Sequence, residues 1–399
     1  MTQTAQNISV RYKVNSVLGT RSTGGSGFEL PIIPSDGMRP AKAAIESPEV
    51  RSDGMTTLGR HGSRSATGSY GTVLRVGAPN DLLGSLLRTT VTAAATITNA
   101  TMTSITTTTN TIVAAAGSWI TQGVRAGDLV YLTNHSTAGN NNIILPVISV
   151  SASTITVPAS SLTLNASPDS SFELNVLARY SQPATPAAKA YYTIEEYHQD
   201  IDQSEVFDDC MVASAAFDLP VDGTATIQWG FVGRNFTAET TGTSPILTAP
   251  TGFTNQNLVA TDAVILLEGA AIANLTGLQF TCDNAAALAP VIGSTTSPDV
   301  YPDNLRITGT LSGLRADLTM LTRFIAETEF AIAIRLQETT GTPAKAFGIY
   351  LPAVKLMESP SAPLGGSGPM VSSMSFVAGR NATATGELET MVQFSTSPT

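Results

Sequence analysis

The chain has 399 residues, a formal net charge of −10, and a composition that is 42% hydrophobic but only 13% charged and 6% aromatic. Ordinary soluble domains carry about 25% charged residues, so the surface is either that of a Thr/Ser-rich secreted protein or one largely covered by neighbours in an assembly. Low charge with retained solubility favours the assembly. An acidic balance argues against a direct grip on nucleic acid, where lysine and arginine must neutralise phosphates, but it suits a surface that repels nucleic acid.

The first predicted element is a strand over Ile8 to Val17, followed by the turn Thr23–Gly27 and punctuated by Pro31, Pro34 and Pro40. Residues 45–76 read as two strands around a loop, because Gly54, Gly59 and Gly62 break any helix. This is the most basic stretch of an acidic molecule, with Arg51, Arg60, His61, Arg64 and Arg75. Arg51, Arg60, His61 and Arg64 are the candidate assembly contacts, as an exposed arm reaching an acidic neighbour; a solvated face is the plainer alternative. A short helix is predicted from Asn80 to Arg88, with Asn80 as N-cap and a stripe of Leu82, Leu83, Leu86 and Leu87.

From Thr89 to about Phe172 the chain is dominated by Thr, Ala, Ser and Asn. Strand-like runs at Val124–Thr133 and Val147–Val157, the latter alternating at period two, predict a small β-domain there. Three strands follow, at Tyr191–Tyr197, Cys210–Leu219 and Thr224–Phe231, the last two joined by Val221-Asp222-Gly223 with the glycine at positive φ. Val264–Leu267 and Leu275–Cys282 begin a second series. A helix at Ala316–Glu327 carries the stripe Leu318, Leu321, Phe324 and Ile325, and strands follow at Phe330–Gln337, Phe347–Met357 and Met370–Val377. Residues 240–256 and 359–369 read as linkers or long loops. Each helix is too short to be stable alone and is expected to pack across a sheet.

The two series resemble copies. Gly233-Arg234-Asn235 returns as Gly379-Arg380-Asn381, and Thr67-Gly68 through Leu74-Arg75 returns as Thr308-Gly309 through Leu314-Arg315. Leu-Arg shifts by 240 positions (75 to 315) and Gly-Arg-Asn by 146 (234 to 380), so the first copy holds 94 residues that the second lacks. A duplicated unit fixes domain count before local propensity is consulted. The expected organisation is a first domain of residues 1–88 with 178–240, an inserted Thr/Ala-rich β-domain at 89–177, and a second domain at 241–399.

Equipment for chemistry is sparse. His61, His135 and His198 lie apart from one another and from the cysteines, which leaves transition-metal and Ser-His-Asp readings without parts. His198, Asp200 and Asp202 on a strand would share a face able to hold a hard cation; a solvated acidic loop is the alternative reading. No phosphate-binding Gly-x-x-x-x-Gly-Lys-Ser/Thr loop occurs. Cys210 and Cys282 make neither a disulfide framework nor a zinc motif, and read as buried free thiols or as one long-range bridge. The N-terminus lacks signal-peptide character and no apolar run reaches the roughly 18 residues of a membrane helix. These readings predict no enzyme, no cofactor, no metal, and synthesis in a cytoplasm.

Taken in order, these parts resemble the major tail tube proteins of long-tailed, siphovirus-like bacteriophages. The resemblance rests on Arg11-Tyr12 through Leu18-Gly19-Thr20, Ile45-Glu-Ser-Pro-Glu-Val50-Arg51-Ser52-Asp53-Gly54-Met55, Gly68–Val76, the helix, Ala126-Gly127-Asp128, Tyr192-Thr193-Ile194-Glu195 and the Phe207–Phe217 strand. Gly54 stands where a larger residue is expected. The resemblance implies a mainly β fold, a sandwich or barrel with a flanking helix in each of two tandem domains. It also implies a structural virion protein whose rings stack into the channel that conducts double-stranded DNA during genome ejection, without sequence-specific binding. Self and the other tail proteins at the tube ends are the implied partners. Rings of this family generally show six tube domains, so a duplicated chain predicts a pseudo-hexameric ring of three chains, with six as the fallback and the insert on the outer surface. A virion decoration or fibre protein and a secreted adhesin are the competing readings.

Overall fold

The computed structural model describes residues 7–397 except 78, 184, 273, 360–367 and 382–384. The fold is mainly β, with two short α-helices among the described residues, α1 (Asn80–Leu87) and α2 (Thr319–Ile325). Residues 8–239 and 264–396 use one and the same set of antiparallel strand pairings. In each half the opening strand (Ile8–Val14 or Val264–Leu267) pairs with the strand after the helix (Tyr192–His198 or Phe330–Gly341) and with a short strand (Phe28–Leu30 or Ala270–Ala271). Next, Gly37–Ile45 or Leu275–Asp283 pairs with Arg60–Val73 or Arg306–Leu314, which in turn pairs with Thr226–Gly233 or Val371–Gly379.

A long strand closes each half. Gln203–Pro220, or its counterpart Ala344–Leu356, pairs with the strand after the helix, with Thr226–Gly233 or Val371–Gly379, and with a last strand at Asn235–Glu239 or Gln393–Thr396. Registers match as well: Gly68 lies opposite Phe231, and Gly309 opposite Phe376. One residue more separates that phenylalanine from the Gly-Arg-Asn triplet in the second half than in the first.

Gln203–Pro220 changes sheets along its length. Up to Cys210 it belongs to the outer layer, with Tyr192–His198 and Asn235–Glu239; from Met211 it joins the inner layer. Asp209 sits at the corner in the left-handed region (φ 52°), where asparagine and aspartate are tolerated better than most residues. Its buried carboxylate accepts from Asn15 Nδ2 (3.1 Å) and the Gly19 N–H (3.0 Å) and pairs with Arg234 (2.9 Å). A bulge between Val212 and Ser214 follows, the usual device for bending a strand round a corner.

Residues 95–176 form two small sheets, of five and four strands, around their own core of Trp119, Ile155, Phe172 and Leu174. Trp119 and Phe172 meet edge to face at 6.5 Å, a favoured aromatic geometry. The predicted run Val147–Val157 is a hairpin of Ser149–Val150 and Thr154–Thr156, and Val124–Thr133 is a strand only from Leu129.

Three local expectations are corrected. Asn80 is the first helical residue, not the cap; Pro79 holds the cap position and no side chain caps the helix. Gly223 is not at positive φ; a Cβ there would lie 2.7 Å from Pro220 Cγ, so the glycine answers close approach. Residues 240–256 are no free linker. Glu195, fully buried, accepts from the Ile246 and Leu247 N–H groups at 2.7 and 2.9 Å and from Ser204 Oγ, which pins this segment to the first half. The expected linker at 359–369 lies largely outside the described residues.

The helices differ most. Leu82, Leu83, Leu86 and Leu87 of α1 are all buried, whereas no residue of α2 is, and Ile325 is 72% exposed. The stripe was expected to pack both helices alike. α1 is roofed by the chain leaving the insert, through Tyr180 and Ala190, and α2 has only residues 326–329 between it and the next strand. Truncating the two counterparts tests this. Leu86→Ala is expected to destabilise the isolated chain by about 2–5 kcal/mol, and Ile325→Ala by less than about 0.5 kcal/mol, read by chemical unfolding.

Candidate assembly surfaces

The inner layers of the two halves join into one sheet. Ser214–Pro220 pairs antiparallel with Gly277–Asp283, in the register Ala215 to Cys282, Phe217 to Phe280 and Leu219 to Leu278. The result is an eight-stranded run: Gly37–Ile45, Arg60–Val73, Thr226–Gly233, Gln203–Pro220, Leu275–Asp283, Arg306–Leu314, Val371–Gly379 and Ala344–Leu356. Behind the joint, Phe217 stacks on Phe280 with centroids 4.6 Å apart and on Phe394 at 5.2 Å. The joint is therefore a hydrophobic core as much as a hydrogen-bonded ladder.

Side chains alternate across a strand, so the other face of this run can be read by register. Gly71, Gln228, Ala216, Thr281, Thr308 and Val377 form one row across it; Thr226, Asp218, Gln279, Thr310 and Ser375 form the next. These residues line a shallow open concavity of about 1020 Å³. Gln279 Nε2 donates to Asp218 Oδ1 at 3.0 Å, and Gln228 Nε2 to Ser69 Oγ at 2.9 Å. The charged residues on the paired positions of this face are Arg39, Arg306 and Lys355 against Asp218 and Asp283. The face is nearly neutral and rich in hydroxyls and amides; the excess of acid lies elsewhere on the molecule.

The run of eight strands has two ends. One is Gly37–Ile45, which continues with Arg60–Ser65 into a hairpin arm whose residues from Ala41 to Arg60 are nearly all exposed. Arg51 lies on the arm in an ion pair with Asp53 at 2.6 Å, and Arg60 and His61 lie at its base, exposed. Arg64 turns back onto the first half, donating to Asn235 Oδ1 at 3.3 Å beside the Phe236 ring. The structure thus groups Arg51, Arg60 and His61 on one projection and leaves Arg64 partly buried. In the second half, α2 flanks an apolar groove of about 460 Å³ lined by Leu267, Ala271, Leu275, Leu314, Met320 and Met374.

A tail tube family model, described as phage tail tube protein, matches residues 5–378. The chain belongs to that family. A search of curated proteins gives no match. As a tail tube protein it is a structural component of a phage tail, and no described helix is long and apolar enough to cross a membrane.

The histidine and acidic motifs of this tail tube protein do not build a site. The strand ends at His198, and Asp200 and Asp202 fall in the following turn. No group of three His, Cys, Asp or Glu among the described residues could hold a metal ion. Cys210 and Cys282 are both free and fully buried, and burial pushes both thiols up.

Sequence reasoning missed the contact that seats the insert. Asp128, fully buried, accepts from Arg179 at 2.8 Å, Gln393 Nε2 at 2.8 Å and the Arg125 N–H at 2.7 Å. Burial pushes its carboxyl up, opposed by Arg179 and these donors. Gly127, at φ 85°, lies against the Tyr350 ring, and Leu129, Ile144 and Leu177 pack on Ala346. The insert thus leaves the first half and docks on the outer layer of the second. The Ala126-Gly127-Asp128 triplet was the available signal; nothing in the sequence said that Gln393 would meet it. Asp128→Ala strands a buried guanidinium and is expected to cost about 3–5 kcal/mol. Limited proteolysis should then cut the segments flanking the insert faster than in the parent protein.

Proposed function

We propose that the chain is the major tube subunit of a long, non-contractile tail, with two tube domains per chain (residues 1–88 with 178–240, and 241–399) and an outer domain at 89–177. In this reading three chains form each ring, and the stacked rings conduct double-stranded DNA. The observation that carries it is the joint between the halves. Strand edges associate unless they are covered, and a heterologous contact that repeats around an axis closes into a ring. Here the edge of one half already pairs with the edge of the other, leaving one free end on each side of an eight-stranded run. Three chains would close twenty-four strands into one barrel, with the Thr/Ser/Gln/Gly face inward and the outer layers, helices and inserts outward.

That inner face suits transit. Affinity for duplex DNA comes largely from cations that displace counterions from phosphates. A face with about as many carboxylates as cations has little such grip. Hydroxyls and amides offer only neutral hydrogen bonds that water exchanges readily. In this reading the protein performs no catalysis, works in the virion tail, and meets other tail proteins at the tube ends.

Electron microscopy of the concentrated protein, with the mass of the smallest ring measured in parallel, tests this reading. Rings or hollow tubes of three chains per ring are expected. Six chains per ring would retain the tube and overturn the two-domain arrangement. A monodisperse particle that never forms rings would overturn the tube reading in favour of a decoration or fibre protein.

A further inference from the structure

We infer that the hairpin arm, residues 42–64, of one chain covers helix α2 of the next chain around the ring. The inference rests on the ring reading above, and its template is the contact that the two halves make inside one chain. There, residues 284–305 of the second half lie over the end of α1 in the first. Asn284 Nδ2 donates to the Leu86 carbonyl at 2.7 Å, Asp299 accepts from Lys189 Nζ at 2.6 Å and from the Tyr191 hydroxyl, and the Ser297 carbonyl accepts from Arg234 Nε at 2.7 Å.

The first half has a matching segment whose contacts with its own chain are confined to its base, where Lys42 and Arg64 lie beside the Phe236 ring and the Arg64 N–H donates to the Thr295 carbonyl at 2.7 Å. Residues 284–305 connect the paired positions Asp283 and Arg306, and residues 42–64 connect the paired positions Ala41 and Ser65. The two connections hold 22 and 23 residues. One is tied to the first half through Asn284, Ser297 and Asp299, with Val291 and Ile292 exposed between them. The other projects from the free end of the eight-stranded run with Val50, Met55 and Leu58 at 100%, 67% and 93% exposure.

The surface it would cover is also in the matching place. Leu86 stands two residues before Arg88, the left-handed residue that ends α1; Ile325 stands two residues before Glu327, the left-handed residue after α2. Leu86 is buried and Ile325 exposed. Charge matches with its sign reversed. Lys189 and Tyr191, three and one residues before Tyr192, meet an acidic partner in Asp299. Their counterparts three and one residues before Phe330 are Glu327, paired with Lys355 at 2.8 Å, and Glu329; the arm brings Arg60 and Arg51, the latter paired with Asp53, together with Glu46 and Glu49. Closing the ring by the same joint sets this arm beside this helix, because Gly37–Ile45 is the counterpart of Leu275–Asp283, the strand that makes the joint.

Cysteine pairs test the placement, since both native thiols are buried. Val50→Cys, Met55→Cys or Leu58→Cys, each combined with Ile325→Cys, are oxidised in assembled tubes and run without reductant. At least one pair is expected to give covalent trimers and no larger species. Ladders beyond three chains would place the arm on the adjacent ring and overturn the inference, as would wild-type-like tubes in which no pair links. Leu58→Asp and Ile325→Asp are each expected to raise the concentration needed for assembly at least about tenfold, with the melting temperature of the unassembled chain unchanged. Unchanged assembly in both would overturn the inference while leaving the ring intact. Failure of the parent protein to form rings at all would instead sink the reading on which the inference rests.

Discussion

One strand crosses from the outer layer to the inner layer at Asp209, and most of the architecture depends on that crossing. Below the corner, Gln203–Pro220 backs the first half; above it, the same strand holds Thr226–Gly233 on one side and Leu275–Asp283 on the other. A backbone in the left-handed region is unfavourable for a residue with a Cβ, so the corner persists only because Asn15, Gly19 and Arg234 all hold the Asp209 carboxylate. Arg234 also reaches Ser297 of the second half. The first Gly-Arg-Asn triplet therefore fixes the corner and ties down the second-half segment that reaches the end of α1 through Asn284. The second triplet has a different task, with Arg380 paired to Glu389.

The joint made possible by that corner explains which surfaces are left open. Aromatic stacking of Phe217 on Phe280 and Phe394 buries what would otherwise be an apolar sheet edge. The same operation cannot be repeated inside one chain for the second half, so its helix, its groove and the arm of the first half are exposed together. Scattered exposed apolar side chains are ordinary on protein surfaces. Here the arm carries Val50, Met55 and Leu58 at one end of the eight-stranded run, and α2 exposes Ile325, whose counterpart Leu86 is buried. In the proposed ring, that contrast marks a surface left for the next chain.

Much of the fold was legible in the sequence because its periodicities are plain. Trp229 and Phe231 alternate with Gln228 and Gly230, and Leu82, Leu83, Leu86 and Leu87 cluster on one helical face, so the strand and the helix follow from spacing alone. What failed was long-range. Asn235–Glu239 was invisible as a strand because no residue of it is buried and it is held by pairing with Ser204–Asp208, a distant segment. The same holds for 240–256, which composition marks as a linker or long loop and which Glu195, the backbone of Gly24, Gly27 and Glu29, and the side chains of Arg11 and Arg75 hold in place. α2 was over-read for the opposite reason: its stripe is real, but an amphipathic pattern records that a face is meant to be covered, and not by which chain. Of the candidate contacts, picked out by charge against an acidic background, Arg51, Arg60 and His61 lie exposed on the projecting arm. Arg64, four residues from Arg60, differs only in having Asn235 and Phe236 within reach.

Net charge, finally, is a poor guide to the electrostatics of any one face. The chain carries −10 overall, and the sequence alone invites the idea that a conduit for DNA lines itself with acid. A dense acidic lining would pay twice, through self-repulsion across the ring and through attraction of cations that bridge back to phosphate. A neutral lining avoids both. Serine, threonine, glutamine and glycine on a β-face also leave the wall thin and even, because none has a long flexible side chain that must be ordered or displaced. In the proposed tube the acidic excess acts from outside the lining, where ions screen it over about 8 Å at physiological salt. The DNA then meets a surface to which it has little reason to adhere and from which it is not strongly driven. Low affinity on the inside and apolar edges at the ends come from the same choice of residues along eight strands: the alternation that sends Phe217, Phe280 and Phe376 into the core sends Ala216, Gln279 and Ser375 to the open face.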